Sequence, residues 1–376
     1  MNKKTNSKKS PFSDSKATKV ETRFGKPVTK TAQVPIKRAA DKLKTKATGP
    51  STGAKTQKGA AAKPMALVKT KILKKPEHKI RAGFVGLIGQ PNAGKSTLMN
   101  NLVKEKVSIV TPKPQTTRRR VQGLVTTDKG QVIFVDAPGI INSESGLNSF
   151  LQLEAQDVIK NSDALVAVLS IDEKDIKYNT EILDLVKASR KPFMVIITKT
   201  DLDDKIHRVR ILTEQFSKEN VKWHSVGKQL KNKEDIQHIM DSIIELLPES
   251  DNYLFDEDDY TTESIRDLAS EIIREKCFEE LEFEVPFNLA IINQKFEEEL
   301  KCPRLIYDIM VSKESHKPIV VGKGASKIKA IGEKARTEIQ KMMGVPKIYL
   351  ELNVVVKDNW FANKNLMKEL KYVVRD

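Results

Sequence analysis

The sequence has few cysteines, no metal-ligand spacing among its histidines and no long apolar run, and each shortage excludes a class of protein. Its two cysteines, Cys277 and Cys302, stand in no paired motif, so we expect neither a disulfide framework nor a structural zinc site. The longest strongly apolar run, 193–197, is far shorter than the roughly 20 residues of a membrane-spanning helix. The N-terminus lacks the apolar core of a secretory signal. These shortages favour a reducing compartment.

Basic charge is unevenly distributed along the 376 residues. Residues 1–82 hold 23 basic and 4 acidic side chains, residues 83–300 hold 27 and 38, and residues 301–376 hold 16 and 8. A segment this polar cannot bury enough apolar surface to offset its ordering entropy, so residues 1–80 are predicted to be a disordered basic extension. The extension suits contact with RNA or an anionic membrane surface, and the alternative is a solvating segment without a defined contact. It lacks the Arg-rich amphipathic period of an organelle presequence.

Short apolar runs alternate with helical patterns from residue 83 onward. Runs that are apolar throughout and separated by helices predict an α/β domain over 83–248, with a mostly parallel sheet covered by helices on both faces. The acidic stretch 249–261 is predicted to be a linker. Residues 262–376 carry a helix, two strands, a second helix and a final strand, which predicts an α+β domain. The predicted strands of the first domain are 83–88, 131–135, 164–169 and 193–197.

The segment that begins at Gly89 and ends at Ser96 fits the phosphate-loop motif G-x-x-x-x-G-K-[ST]. It lies between a predicted strand and a predicted helix, which is the context the motif requires. The glycines let backbone N–H groups turn inward around a phosphate, Lys95 supplies charge to the β- and γ-phosphates, and the Ser96 hydroxyl can ligate Mg²⁺. The predicted nucleotide-binding residues here are Gly89, Gln90, Pro91, Asn92, Ala93, Gly94, Lys95 and Ser96.

Two further segments contribute candidates for catalysis at the same phosphates. Asp136 and Gly139 follow a predicted strand, where the carboxylate can hold a Mg²⁺ water and the Gly139 N–H can meet a γ-phosphate. The polar, proline-broken segment 111–120 suits a mobile switch, and its alternative is an exposed loop with a basic face. Thr117 is the predicted Mg²⁺ ligand of the switch, with Thr116 as the alternative. The predicted catalytic residues are Lys95, Thr117, Asp136 and Gly139.

The segment from Thr198 to Asp201 follows the fourth predicted strand and predicts which base is bound. The Asp201 carboxylate can accept two hydrogen bonds from the guanine N1–H and exocyclic amine, a pair of donors that adenine lacks. The nucleotide is therefore predicted to be GTP or GDP. The Lys199 stem can pack on the base plane. After the next short strand, Ser225 and Val226 can present a backbone N–H to the guanine carbonyl.

The loop Gly322-Lys-Gly-Ala325 is predicted to join a strand to the amphipathic helix 326–342. KH domains clamp about four nucleotides of single-stranded RNA with a G-x-x-G loop, and lysines in and after it meet phosphates. Here the last glycine is Ala325, which predicts weaker binding. A turn that binds nothing is the alternative. The predicted RNA-binding residues are Gly322, Lys323, Gly324, Ala325 and Lys327.

These motifs together resemble the Era family of bacterial GTPases. The resemblance rests on 89–96, 114–118, 136–139 and 198–201, and the stretch 284–287 is similar to the opening of the family's second domain. It covers all but the basic extension. The resemblance implies slow GTP hydrolysis with Mg²⁺, a P-loop GTPase domain and a type II KH domain. It also implies a monomeric cytoplasmic protein, peripheral at the inner membrane at most, that binds 16S rRNA near its 3′ end during 30S subunit assembly and rRNA maturation.

Several positions depart from the family's usual residues or leave its chemistry open. Thr198 stands where Asn is usual, which predicts weaker nucleotide binding, whereas Val226 in place of Ala should matter little because its contact uses the backbone. Ile140 stands where Ras-like proteins orient the attacking water with Gln. Ile140 and Thr198 leave open a second function, that of a GTP/GDP-sensing rRNA-binding factor with negligible hydrolysis. Asn92 resembles a residue that binds K⁺ in some relatives, and bracing of the loop is the alternative.

Overall fold

The computed structural model describes residues 76, 78–113, 116–139, 146–171, 176–201, 206–227, 230 and 232–372. Predictions about the basic extension up to residue 75, about Pro114 and Gln115 of the switch and about Ile140 therefore lie outside the described residues. All described residues belong to one compact unit of the chain. Within this part of the chain, no helix could cross a membrane and no cluster of His, Cys, Asp and Glu could hold a metal.

A sheet of seven strands forms the first half of the described fold. Its strands are β1 (Ile80–Ile88), β2 (Val121–Thr126), β3 (Gly130–Asp136), β4 (Ala164–Ser170), β5 (Phe193–Thr198), β6 (Trp223–Val226) and β7 (Glu249–Ser250). Hydrogen bonds join them in the order β2-β3-β1-β4-β5-β6, with β7 beside β1. The β2–β3 and β1–β7 pairs are antiparallel and the other pairs are parallel. The predicted mostly parallel sheet is confirmed.

Helices cover both faces of this sheet, which explains why its strands are apolar throughout. On one face Leu98 and Ile243 share a core with Val85, and on the other Val158 packs in a core with Leu165. The helices of this half are α1 (Lys95–Val103), α2 (Gly146–Asn161), α3 (Ile176–Ala188), α4 (Ile206–Lys218) and α5 (Lys233–Ile244). The carboxyl ends of β1, β3 and β5 lie at the same edge of the sheet. The predicted nucleotide-binding residues are at this edge.

The acidic stretch after β7 packs against the sheet. The backbone N–H groups of Leu254 and Phe255 donate to Gln131 Oε1, at 2.8 and 2.9 Å. Leu124 N donates to Tyr260 O at 2.9 Å, which fixes the end of the stretch on β2. These bonds attach the segment between the two halves to the antiparallel edge of the sheet, and its predicted linker boundaries stay a prediction.

The second half is an α+β unit around a three-stranded sheet. Its elements are α6 (Ile265–Glu280), β8 (Leu289–Glu297), β9 (Arg304–Val311), α7 (His316–Val321), α8 (Ser326–Met343), β10 (Tyr349–Val356) and α9 (Lys364–Glu369). The sheet order is β10-β9-β8, with β9 and β10 parallel and β8 and β9 antiparallel. Helices α6 and α8 share a hydrophobic core with this sheet. The core includes Ile273 of α6, Ile331 of α8 and Ile309 of β9.

One element of the second half differs from its prediction. The loop that begins at Gly322 was expected to follow a strand, but the residues before it belong to helix α7. Burial of Val320 in the core of α6 and α8 outweighs its intrinsic strand preference. Near the C-terminus, Trp360 is buried and its Nε1 donates to Asn288 O at 3.2 Å, so it is a core residue.

Candidate functional site

The loop between β1 and α1 closes around the ammonium group of Lys95. This side chain is 5% exposed, and its Nζ donates to the carbonyl oxygens of Gly89 at 3.0 Å and Gln90 at 2.9 Å. A Cβ at Gly89 would lie 2.4 Å from the carbonyl oxygen of Val168, so no other residue fits there. Gly94 has a φ of 92°, a conformation that glycine reaches without strain. The chain therefore fixes the lysine ammonium where helix α1 begins and its dipole is positive.

Three hydroxyl groups converge on one carboxylate oxygen, Asp136 Oδ2. The distances to it are 2.5 Å from Ser96 Oγ, 2.9 Å from Ser108 Oγ and 3.4 Å from Thr117 Oγ1, and the Ser96 and Thr117 oxygens are 3.0 Å apart. Asp136 is fully buried, which raises the pKa of its carboxyl group, although the Lys95 charge and the three hydroxyls oppose that shift. Ser108 was not among the predicted residues, because nothing in a lone serine of this segment indicates a partner 28 positions away.

This cluster fits a magnesium ion by its donor chemistry. Mg²⁺ prefers hard oxygen ligands and usually keeps several waters, so one or two side chains and the substrate phosphates complete its shell. Ser96 and Thr117 offer hydroxyl oxygens, and Asp136 Oδ1 is buried without a hydrogen-bond partner. The Thr116 hydroxyl is engaged elsewhere, since it donates to Lys113 O at 2.8 Å.

A cavity of about 700 Å³ lies beside the phosphate loop, a size typical of small-molecule sites. Of the predicted site residues, those that line it are Pro91, Asn92, Gly94, Lys95, Ser96, Thr117, Gly139, Thr198, Lys199, Asp201 and Val226. Five residues predicted for the nucleotide site do not line it, namely Gly89, Gln90, Ala93, Asp136 and Ser225. The cavity also has lining residues that the sequence analysis did not identify. Thr97 and Asn101 follow the loop on α1 and could have been found from helical spacing, whereas no local signal pointed to Ile109 or Leu230.

Thr198 and Asn92 each brace the phosphate loop. Thr198 Oγ1 donates to Ala93 O at 2.6 Å, so the threonine retains a contact between its strand and the loop. Asn92 Nδ2 donates to Pro112 O at 3.3 Å, which ties the loop to the switch segment. This bond supports the bracing interpretation of Asn92, and K⁺ binding stays a prediction. Gly139 packs so tightly that a Cβ on it would lie 2.5 Å from the Pro91 nitrogen.

The guanine-binding segments meet at the ends of β5 and β6. Asp201 lies beside Gly227, where an added Cβ would be 3.3 Å from the Asp201 Cβ. Ser225 and Val226 belong to β6 itself, whereas the sequence placed them after a strand. The Ser225 side chain is exposed on this edge strand, and Val226 is buried and lines the cavity.

The switch segment packs against the second half of the protein rather than facing solvent. Val110 N donates to Glu275 Oε1 at 3.1 Å. The Lys113 ammonium donates to the last carbonyls of α6, at 2.5 Å to Phe278 O and also to Leu281 O. These groups have no helical partner of their own, so the lysine caps the end of α6. The switch segment therefore holds the helix at two separate points.

Two arginines of the same segment are buried, so the alternative of an exposed basic loop is wrong. Arg118 is 1% exposed and donates to Leu289 O at 2.6 Å and Phe287 O at 2.7 Å. Burial lowers the pKa of its guanidinium group. Arg119 is 5% exposed and pairs with Glu263 at 2.7 Å. Their basic charge serves contacts inside the protein rather than a surface for RNA.

The candidate RNA loop lies between α7 and α8. Gly322 has φ 73° and ψ 167°, a region that only glycine occupies readily, and a Cβ there would lie 2.8 Å from Lys327 N. Gly324 and Ala325 both adopt left-handed backbone, with φ of 60° and 63°. This conformation costs a non-glycine residue roughly 1–2 kcal/mol. The Lys327 ammonium donates to Glu280 O at 2.8 Å, so it too caps the end of α6.

Comparison with known proteins assigns both halves. A family model described as 50S ribosome-binding GTPase matches residues 84–199, and a KH domain model matches residues 273–361. The GTPase Era of Geobacter metallireducens is 33% identical over 301 residues, which cover 79% of this chain and 99% of that protein. The GTPase Era of Nitratidesulfovibrio vulgaris is 36% identical over 298 residues, covering 77% and 96%.

Solved structures agree with these relatives. A variant of Era from Aquifex aeolicus bound to GDP·AlF4⁻ superposes with a TM-score of 0.72 at 30% identity, covering 78% of this chain and all of that one. Era in complex with MgGDPNP and nucleotides 1506–1542 of 16S ribosomal RNA gives the same values. The predicted P-loop GTPase fold and C-terminal KH domain are confirmed. From its phosphate loop to its KH domain, the chain belongs to the Era family of GTPases, enzymes that hydrolyse GTP.

Proposed function

We propose that this GTPase binds 16S rRNA near its 3′ end through the KH loop, under control of its nucleotide, and acts in 30S subunit assembly and rRNA maturation. One observation carries the proposal: the switch segment and the KH loop both bond to the same end of α6. Lys113 donates to Phe278 O, and Lys327 donates to Glu280 O two residues further along. A change in the switch segment therefore reaches the RNA loop through a single helix end.

In the proposed nucleotide site, the chain's own groups hold and orient GTP. Lys95 contacts the β- and γ-phosphates, and the Gly139 N–H meets the γ-phosphate. Ser96 and Thr117 would hold Mg²⁺ by their hydroxyl oxygens, while Asp136 would hold one of its waters. The chemistry that Mg²⁺ would supply here is neutralisation of the charge that develops on the phosphates during hydrolysis. The buried position of Asp136 strengthens its attraction for a cation, because the low dielectric screens charge weakly.

At the base, the proposal gives Asp201 and Lys199 distinct tasks. The Asp201 carboxylate accepts from the guanine N1–H and amine, and the Lys199 stem packs on the ring. The backbone at Ser225 and Val226 donates to the guanine carbonyl. Support comes from the cavity, which Lys199, Asp201 and Val226 line together with residues of the phosphate loop.

At the RNA loop, the proposal requires Lys327 to exchange one partner for another. Lys323 is exposed, whereas the Lys327 ammonium is held by Glu280 O at 2.8 Å with the Glu280 carboxylate 4.0 Å away. RNA phosphate must therefore compete with the end of α6 for Lys327. Displacement of α6 by the switch segment would release this lysine, which gives the nucleotide a physical route to RNA affinity. The relative solved with 16S rRNA nucleotides supports the choice of RNA.

The proposal further describes a monomeric bacterial protein of the cytoplasm. Its basic extension would add salt-sensitive attraction to RNA or to an anionic membrane surface. A potassium ion at Asn92 would speed hydrolysis, and single-turnover hydrolysis in K⁺ compared with Na⁺ measures that contribution. Equal rates in both salts would leave Asn92 with its bracing role alone.

The central test measures affinity for an oligonucleotide that copies the 3′ end of 16S rRNA, with the protein bound to GDPNP or to GDP. We expect about a tenfold difference between the two nucleotides, which corresponds to a coupling free energy of about 1.4 kcal/mol. Lys113→Ala should remove most of that difference while nucleotide binding persists. A scrambled oligonucleotide is the control for sequence. Equal affinity for both oligonucleotides would contradict the proposed RNA target.

A further inference from the structure

We propose that Ser108 is a positioning residue of this GTPase, which fixes the Asp136 carboxylate for the magnesium ion. The inference rests on the proposed Mg²⁺ site and deepens it. Ser108 is 2% exposed, and its hydroxyl donates to Asp136 Oδ2 at 2.9 Å. It lies outside both the phosphate loop and the switch threonines, in the short segment that connects α1 to the switch.

Ser108 differs from the other two hydroxyls at Asp136 by its place relative to the cavity. Ser96 and Thr117 line the cavity, so their oxygens can turn to a cation there. Ser108 is buried and does not line the cavity, whereas its neighbours Ile109 and Val110 do. Its contact with Asp136 therefore does not depend on a bound metal. Such a contact holds the carboxylate in its binding orientation before the ion arrives.

Asn100 of helix α1 fixes Ser108 from the other side. Asn100 Oδ1 accepts from the backbone N–H groups of Val107 and Ser108, both at 3.0 Å, and its Nδ2 donates to Ser108 O at 2.7 Å. Three hydrogen bonds, two of them to Ser108 itself and one to Val107, thus attach this backbone to the helix that begins with Lys95 and Ser96. Because of this attachment, Ser108 stays with the phosphate loop when the later part of the switch segment moves.

The physical consequence is preorganisation. Groups that hydrogen-bond a metal-binding carboxylate orient it and tune its affinity, and their loss typically costs about tenfold to a hundredfold in metal binding. Without Ser108, the Asp136 carboxylate is free to rotate whenever Ser96 and Thr117 turn to the ion. A purely structural role would instead lower stability and leave the response to magnesium unchanged.

The test follows dissociation of a fluorescent GDP analogue from the full-length protein as free Mg²⁺ is varied. In Ser108→Ala, the Mg²⁺ concentration that half-maximally slows dissociation should rise about tenfold. The dissociation rate in EDTA should stay within about twofold of the wild type, because nucleotide contacts other than the metal are retained. Ser108→Cys has nearly the same shape with a weak donor and should shift in the same direction by less.

Ser162→Ala is the matched control. Ser162 is also 2% exposed, but its hydroxyl donates to the backbone oxygen of Val158 at 2.8 Å, away from the site. It should lose some stability and keep the wild-type response to Mg²⁺. An unshifted response in both Ser108 variants would overturn the proposal, as would equal acceleration of dissociation in EDTA and in Mg²⁺. A wild-type protein whose GDP dissociation ignores Mg²⁺ would overturn the magnesium site itself, which is a distinguishable result.

Discussion

The phosphate loop and the KH loop use the same groups, glycine backbone and lysine ammonium, but the fold treats them differently. In the phosphate loop the lysine is buried, Gly89 packs against Val168 of β4, and Pro91 packs against Gly139. In the KH loop Lys323 is exposed, and a Cβ at Gly324 would meet nothing within 4 Å. A loop that packs closely against its neighbours selects one ligand and fails when one group is lost. An open loop accepts RNA strands of different sequence. Each substitution in such a loop lowers RNA affinity only in part, and the size of the loss depends on salt.

The substitution Lys95→Ala should have the largest effect, because it removes the buried ammonium group of the phosphate loop. We expect GTP and GDP affinity to fall by about a hundredfold or more, because hydrogen bonds to charged groups contribute roughly 1.5–3 kcal/mol each and no other side chain occupies this place. Isothermal titration with GDP measures the loss. Lys218→Ala, an exposed lysine at the end of α4, should bind as the wild type does. Retained affinity in Lys95→Ala would show that the ammonium does not contact phosphate.

A change at the base tests the selective end of the same site. Asp201→Asn should weaken guanine nucleotides by about thirtyfold and favour xanthosine nucleotides, because the new amide donates where the carboxylate accepted. Competition between GDP and XDP for the protein gives the ratio. The same change at the exposed Asp184 of α3 should leave the ratio unaltered. Equal competition by ATP and GTP in the wild type would refute the assignment of Asp201.

At the open loop, the expected loss is smaller and depends on salt. Lys323→Asp combined with Lys327→Asp should weaken binding of the 16S rRNA oligonucleotide by about tenfold or more, since two cations become two anions. The loss should shrink as salt rises. Lys218→Asp with Lys233→Asp makes the same change of net charge on the GTPase half, so it separates local contact from long-range attraction. If both pairs lose affinity equally, the loop is not the RNA site.

The smallest expected effect comes from Ala325→Gly. The left-handed backbone of Ala325 strains a side chain that glycine lacks, although glycine gains freedom in the unfolded chain. Relief of strain should exceed the cost of this added freedom, so the free energy of unfolding should rise by about 0.5 kcal/mol. RNA binding should tighten by about twofold. Denaturant unfolding and RNA titration measure the two effects. Gly324→Ala is the opposing control and should lower stability by a similar amount.

The elements that the sequence predicts well are those whose signal is local. The phosphate loop is contiguous, and its glycines, Lys95 and Ser96 need only the neighbouring strand and helix to take their places. Strands with both faces buried are apolar throughout, so β1, β4 and β5 were found with their approximate bounds. Helix α7 was missed because the preference of Val320 and Val321 for strands is weaker than the packing that surrounds them.

What the sequence could not predict depends on partners that are distant along the chain. Arg118 and Arg119 belong to a basic run, and such runs are usually solvated. Both are nevertheless buried, where Arg118 donates to Phe287 O and Arg119 pairs with the Glu263 carboxylate. Ser108 donates to Asp136, 28 positions away, while Asn100 fixes the Ser108 backbone from helix α1. The KH-loop motif alone also gives no sign of the hydrogen bond from Lys327 to Glu280 O. From the motif, both Lys323 and Lys327 were expected to meet RNA phosphates. Residue identity alone cannot show which hydrogen bond a flexible side chain makes.

The length of helix α6 determines whether the contacts at its two ends can form together. Its 16 residues span about 24 Å, with the Arg119–Glu263 pair just before its first turn and the Lys113 contacts at its last. Inserting one residue near its middle would turn everything beyond it by about 100°. Glu275 would then face away from Val110 N, and the terminal carbonyls would leave both lysines. The number of residues in this helix therefore fixes the contacts at both of its ends, whereas replacing an exposed side chain such as Arg266 leaves those contacts in place.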